Sequence, residues 1–170
     1  MTTTDYIIDI ALVLLVLLQI KERPLSTRSL VRPLVIVTIA VANYLHGIPT
    51  AGNDLVLVAV LALLGAVIGV ASGQTVLMRR GGGAILARAA WASAFFWVLG
   101  MGSRFAFAYW STHDGASAIA RFSADHSITS GEAWTVALLA MAVCEVAGRT
   151  LVLAARRRRL ELAPARPEIA

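Results

Sequence analysis

Residues 54–73 read DLVLVAVLALLGAVIGVASG, one acid followed by nineteen residues without a charge. About 20 apolar residues in helical form span the hydrocarbon core of a bilayer, whereas a soluble helix of that length carries a polar face. This stretch has no such face, so lipid is its natural surrounding. The same reading extends outward to residues 6–20, 33–48, 90–110 and 133–155, each mostly apolar. The whole chain follows suit, with 170 residues, 58% hydrophobic and 15% charged, and no polar linker long enough to separate two folds. The expected fold class is an all-α integral membrane protein, a five-transmembrane-helix bundle over residues 1–155 with a basic cytoplasmic tail at 156–170.

The basic residues supply the orientation. Lys21, Arg23, Arg28 and Arg32 follow the first apolar run, Arg79, Arg80 and Arg88 follow the third, and Arg156 to Arg159 with Arg166 follow the fifth. Residues 49–53 carry no basic residue, and residues 111–132 carry only Arg121 against Asp114, Asp125 and Glu132. Cytoplasmic loops are the ones enriched in Lys and Arg, so this alternation predicts an N-terminus outside, a C-terminus in the cytoplasm, and a multi-pass protein of the cell membrane. The opening MTTTDYIIDIALVLLVLLQIKER has no positive charge ahead of its apolar run and no small-residue cleavage pattern, and is read as a retained first span. The net charge of +5 does not indicate nucleic acid, because the basic residues cluster at the ends of apolar runs and are not interleaved with aromatics. Anionic lipid at the C-terminal tail is the expected partner of that charge.

Local signals refine the boundaries. Pro33 suits the first turn of a helix, HGIPTAGND is a turn ahead of the third span, and Thr129 with Glu132 has the spacing of a capping box. Trp91 and Trp110 bracket the fourth span at the positions of interfacial rings. ASAIARFSADH places Ile119, Phe122 and His126 on one face of a short surface helix, and the glycines at 81–83 read as a flexible connector.

Candidate functional groups are the polar residues that lipid should exclude. Asp9, Asn43, His46, Asp54 and Arg104 come from four spans and fall at similar depth in the outer half. Arg104 lies about 9 Å below the outer end of its span at about 1.5 Å per residue, where an unpaired charge costs about 2.5 to 3.5 kcal/mol on insertion scales. Asp9 is its expected partner, and the group forms either a structural ion pair or a hydrated vestibule for a ligand or ion. Glu145, near the middle of the fifth span, is expected either to pair with Arg149 one turn on, or to stand as a carboxylate suited to a proton or cation. Gly65, Gly69 and Gly73 form a GxxxGxxxG stripe that allows close backbone approach, within the chain or as the seam of a homo-oligomer. His46, His113 and His126 all fall on the outer side, yet no HxxxH, HExxH or CxxCH spacing is present. No cofactor is therefore expected, and a metal or haem on these histidines stays an alternative. The single cysteine, Cys144, excludes an internal disulfide.

QIKERPLSTRSLVRPLVIV at 19–37 and YLHGIPTAGND at 44–54 resemble small actinobacterial membrane proteins grouped loosely with the CcdC-like family. The resemblance implies a setting near cytochrome c maturation and assigns no functional residue. No phosphate loop, nucleophile elbow or diphosphate-binding acidic pair is present, so the functional expectation is a non-enzymatic membrane protein that binds or passes a small solute or ion. An assembly or accessory subunit is the first alternative, and a redox or metal protein the second.

Overall fold

The computed structural model describes residues 23–24, 26–44, 49–81, 84–88 and 91–162. The apolar run 6–20 with Asp9, the residue His46 and the end of the tail lie outside the described residues. The described elements, in chain order, are β1 (Arg23–Pro24), α1 (Thr27–Tyr44), α2 (Asp54–Gln74), β2 (Leu77–Gly81), β3 (Ala84–Arg88), α3 (Trp91–Thr112), α4 (Ala116–Asp125) and α5 (Gly131–Leu162). The protein is mostly helical. Two of the helices, α2 and α5, are long and apolar enough to cross a membrane, whereas the apolar part of α1 is confined to Leu30–Ile39.

The all-α expectation requires one correction. On either side of the glycines read as a flexible connector, of which 82–83 lie outside the described residues, β2 and β3 pair antiparallel, with Arg79 opposite Leu86 and Gly81 opposite Ala84, and β1 adds to β3 to complete a sheet in the order β1-β3-β2. Gly81 closes β2 opposite Ala84, the first residue of β3. A two-residue strand and two five-residue strands carry too little alternation to register as a sheet by pattern.

Three helix boundaries also differ from expectation. Helix α1 begins at Thr27, so Pro33 lies inside it and not in its first turn; the lost hydrogen bond to residue 29 is tolerated within an otherwise continuous helix. Helix α5 runs through Arg156–Arg159 to Leu162, because arginine and leucine are good helix formers and Arg157 Nε pairs with Glu161 one turn on at 2.8 Å. At its start the capping role falls to Ser130, whose hydroxyl accepts the Ala133 N–H at 3.2 Å. Thr129, expected in that role, is engaged elsewhere.

The packing order is set by α5. Gly65 of α2 faces Met141, Gly69 faces Glu145 and Gly73 faces Val152, so α2 and α5 run parallel in close backbone contact. Helix α3 runs the opposite way, with Phe107 stacked on Trp134 at 5.0 Å between ring centroids and Ser93 beside Arg149. At one end of the bundle, Asn53 N–H donates to Ser127 O and its side chain to His126 O, both at 2.9 Å, tying the start of α2 to the connection between α4 and α5. Gly52 has φ +53° against Ser127, which leaves no space for a Cβ. At the other end stand the sheet, the C-terminus of α5 and the start of α1, where Leu30, Val76 and Leu153 form a small apolar cluster. The outward faces remain apolar, with Val56, Val60, Leu63 and Val67 of α2, Phe95 and Phe105 of α3, and Leu151 of α5 all exposed.

Candidate functional site

Between α2, α3 and α5 lies a set of charges with few neighbours of their own kind. Arg104 Nη1 donates to Glu145 Oε2 at 2.7 Å, and the two side chains are 16% and 8% exposed. Arg104 Nη2 approaches the Met101 sulfur at 3.2 Å. Arg104 thus takes a carboxylate from α5, while its expected partner Asp9 lies outside the described residues. Equal depth from a span end does not decide which helices touch, and Arg104 meets the acid of the helix that α3 packs on.

The expected pairing of Glu145 with Arg149 is replaced as well. Arg149 Nη1 donates to the hydroxyl oxygens of Ser72 and Ser93, the latter at 3.0 Å. Both serines are buried, one on each helix flanking α5. The result is a ladder along one side of α5, with Arg104 against Glu145 and, one turn further, Arg149 between two hydroxyls. Two guanidinium groups and one carboxylate leave the ladder with a formal surplus of one positive charge.

Glycine makes the ladder sterically feasible. Gly100 of α3 faces the Glu145 carboxylate so closely that a Cβ there would overlap both oxygens. Across α5, a Cβ on Gly65 or Gly69 would overlap the backbone carbonyl of Met141 or Glu145. Within the chain the stripe packs against α5. Gly148, on α5 itself, sits against Ala66 O, 3.0 Å from where its Cβ would lie. Sequence reading missed Gly100, Ser72, Ser93 and Gly148. The motif GMGSR at 100–104 held the available signal, since a glycine one turn before a buried arginine frees space for its partner.

The remaining candidates are dispersed. Asp54, fully buried, accepts the Thr129 N–H at 2.8 Å and the Thr129 hydroxyl at 2.5 Å, so both its oxygens lock the end of the bundle. Asn43 lies in the last turn of α1. His113 stacks on Tyr109 and its Nδ1 lies 2.9 Å from Tyr109 O; His126 does the same with Phe122 and Phe122 O. Each histidine is thus folded back onto its own segment. Among the described residues no three His, Cys, Asp or Glu side chains converge as a metal site would need. Arg156 Nη1 donates to Gly73 O at 2.8 Å and Gln74 O at 2.9 Å, satisfying the carbonyls at the end of α2. Set beside known proteins, the chain matches no family, no curated protein and no solved structure.

Proposed function

We propose that the chain is a five-span protein of the cell membrane, N-terminus outside and C-terminus cytoplasmic, whose buried polar ladder binds or passes a small solute or ion. Supporting the membrane reading are the apolar lengths of α2 and α5, the exposed apolar faces, and the opposite direction of α3 relative to both. The gathering of Arg23, Arg79, Arg80, Arg88 and Arg156 at one end supports the orientation. The observation that carries the functional reading is the composition of the ladder: two guanidinium groups share one carboxylate. A charge kept in such a place without full compensation is a binding group by default. Its surplus sign favours a solute bearing negative charge.

The test is reconstitution in vesicles, with uptake of chloride, phosphate and small carboxylates followed for the natural chain and for Arg149→Gln. Solute-dependent flux that the variant loses, while still eluting as a folded particle, is the expected result. Absence of flux or anion-dependent stabilisation in the natural chain overturns it. In that event the accessory-subunit reading, suggested by the resemblance of 19–37 and 44–54, gains ground. One observation already favours it: Arg104 and Glu145 meet directly at 2.7 Å, as in a structural ion pair.

A further inference from the structure

Away from the ladder, α1 presents a face used by none of the contacts described so far. Arg28, Val31, Arg32, Val35 and Ile36 line an open groove of about 600 Å³. Their spacing puts them on one side of the helix, with the two arginines one turn apart toward its start and the apolar side chains reaching further along it. Val35 and Ile36 are 48% and 67% exposed. Neither arginine makes a hydrogen bond or ion pair among the described residues.

Two independent electrostatic facts bear on what fills the groove. The first turn of α1 contains no acidic residue, so Arg28 stands at the positive end of the helix dipole, where an anion is favoured and a cation is not. The basic segments also carry few acids of their own. The basic segments 21–32, 74–89 and 156–170 hold twelve Lys and Arg against Glu22, Glu161 and Glu168, and Glu161 is already paired with Arg157.

We infer that this face of α1 binds an anionic phospholipid, its phosphate between Arg28 and Arg32 and an acyl chain along Val31, Val35 and Ile36. The inference rests on the membrane reading above. A free phosphate would satisfy the arginines and leave the apolar wall uncovered, and a zwitterionic lipid would bring its own cation to two guanidinium groups. A fork of guanidinium donors on a phosphate is the strong form of this contact.

The experiment uses the full chain released in mild detergent, titrated with phosphatidylglycerol or phosphatidylcholine of identical acyl chains, bound lipid being counted by native mass spectrometry. Phosphatidylglycerol should bind preferentially. Arg28→Gln with Arg32→Gln should weaken it about 30-fold, each basic residue near an anionic surface contributing about fivefold, without lowering the lipid-free melting temperature. Val35→Trp, which fills the groove, should also weaken it. Equal binding of the two lipids overturns the inference, as does full retention of phosphatidylglycerol by the double arginine variant, which would place the lipid on Arg156–Arg159. Matching stabilisation by inorganic phosphate alone also overturns it, and so does loss of lipid-free stability in Val35→Trp, the sign that another part of the chain occupies the groove. Fractionation of expressing cells separates the two levels: a protein recovered soluble without detergent refutes the membrane reading, whereas a membrane-bound protein indifferent to lipid charge refutes the groove alone.

Discussion

Helix α5 has two seams, and they are built on different principles. Toward α2 the contact is backbone against backbone at Gly65, Gly69 and Gly148, with side chains entering only near one end, where Val152 meets Gly73 and Arg149 reaches Ser72. Toward α3 the contact is made by side chains: Phe107 on Trp134, Arg104 on Glu145, and Arg149 reaching Ser93. In the proposed membrane setting, apolar solvent gives helices no hydrophobic reason to associate, so close van der Waals approach has to supply the cohesion, and glycine supplies it best. The α2 seam therefore holds the pair without any ion pair, its only charged contacts among the described residues being Arg149 on Ser72 and Arg156 on the Gly73 and Gln74 carbonyls. The charges of the α3 seam are free to be something other than structural glue, and the two seams should fail in different ways.

The glycine seam is where a small change should do most damage. Gly69→Leu should lower stability by more than the ~3 kcal/mol that marks severe overpacking, since its Cβ meets a carbonyl that cannot swing aside. Even Gly69→Ala should destabilise, because the helix-propensity gain of about 1 kcal/mol is smaller than that clash. Thermal unfolding in detergent measures the loss, and the size of the particle on sizing should not change. A change in oligomer size with stability intact would mean that the stripe meets another copy and that the contrast between the seams is misassigned.

The α3 seam should behave as a pair. Arg104→Leu alone leaves the Glu145 carboxylate without its cation and should cost about 3 to 5 kcal/mol, the usual penalty for breaking a buried ion pair. Arg104→Leu with Glu145→Leu should recover most of it, because apolar replacement of both partners is often tolerated. Recovered stability with lost solute binding would separate the chemistry of the seam from its packing. Recovered stability with unchanged behaviour would reduce the pair to a register device. Beyond both seams, Asp54→Asn should have a smaller effect, about 1 to 3 kcal/mol, by weakening the two hydrogen bonds from Thr129 at the bundle end.

How much of this was legible in the sequence varies with the physics behind each feature. Apolar length announced α2 and α5, and the small-residue spacing marked Gly65, Gly69 and Gly73 as a face of close approach without deciding between a neighbour within the chain and another copy. The short helix α4 was readable from its apolar spacing because local periodicity decides it. What was not legible depends on which helices are neighbours. Arg104 and Glu145 are 41 residues apart, on antiparallel helices, and their pairing follows from the azimuth of each helix, which hydropathy does not encode. Asp54 was read as an intramembrane ligand candidate on depth alone, although its two oxygens are taken by Thr129, 75 residues away. The hairpin at 77–88 escaped because five-residue strands flanked by arginines look like any basic loop.

The finest test of the contrast lies within two residues of α3. Gly100 and Gly102 share a helix and a sequence context, yet a Cβ at Gly100 would overlap the Glu145 carboxylate whereas one at Gly102 meets nothing within 4 Å. Gly102→Ala should therefore stabilise the helix by up to about 1 kcal/mol through propensity alone. Gly100→Ala receives the same propensity gain and must offset it against displacement of the carboxylate. A carboxylate at the end of a flexible side chain can move where a backbone carbonyl cannot, so the cost should be smaller than at Gly69, and the difference between the two alanine variants should be near 1 kcal/mol. Paired melting curves measure it. If Gly100→Ala also weakens solute binding while Gly102→Ala does not, the placement of Glu145 matters to function and not only to packing. Identical stabilities would mean that the carboxylate is not held against Gly100, and the ladder along α5 would lose its upper rung.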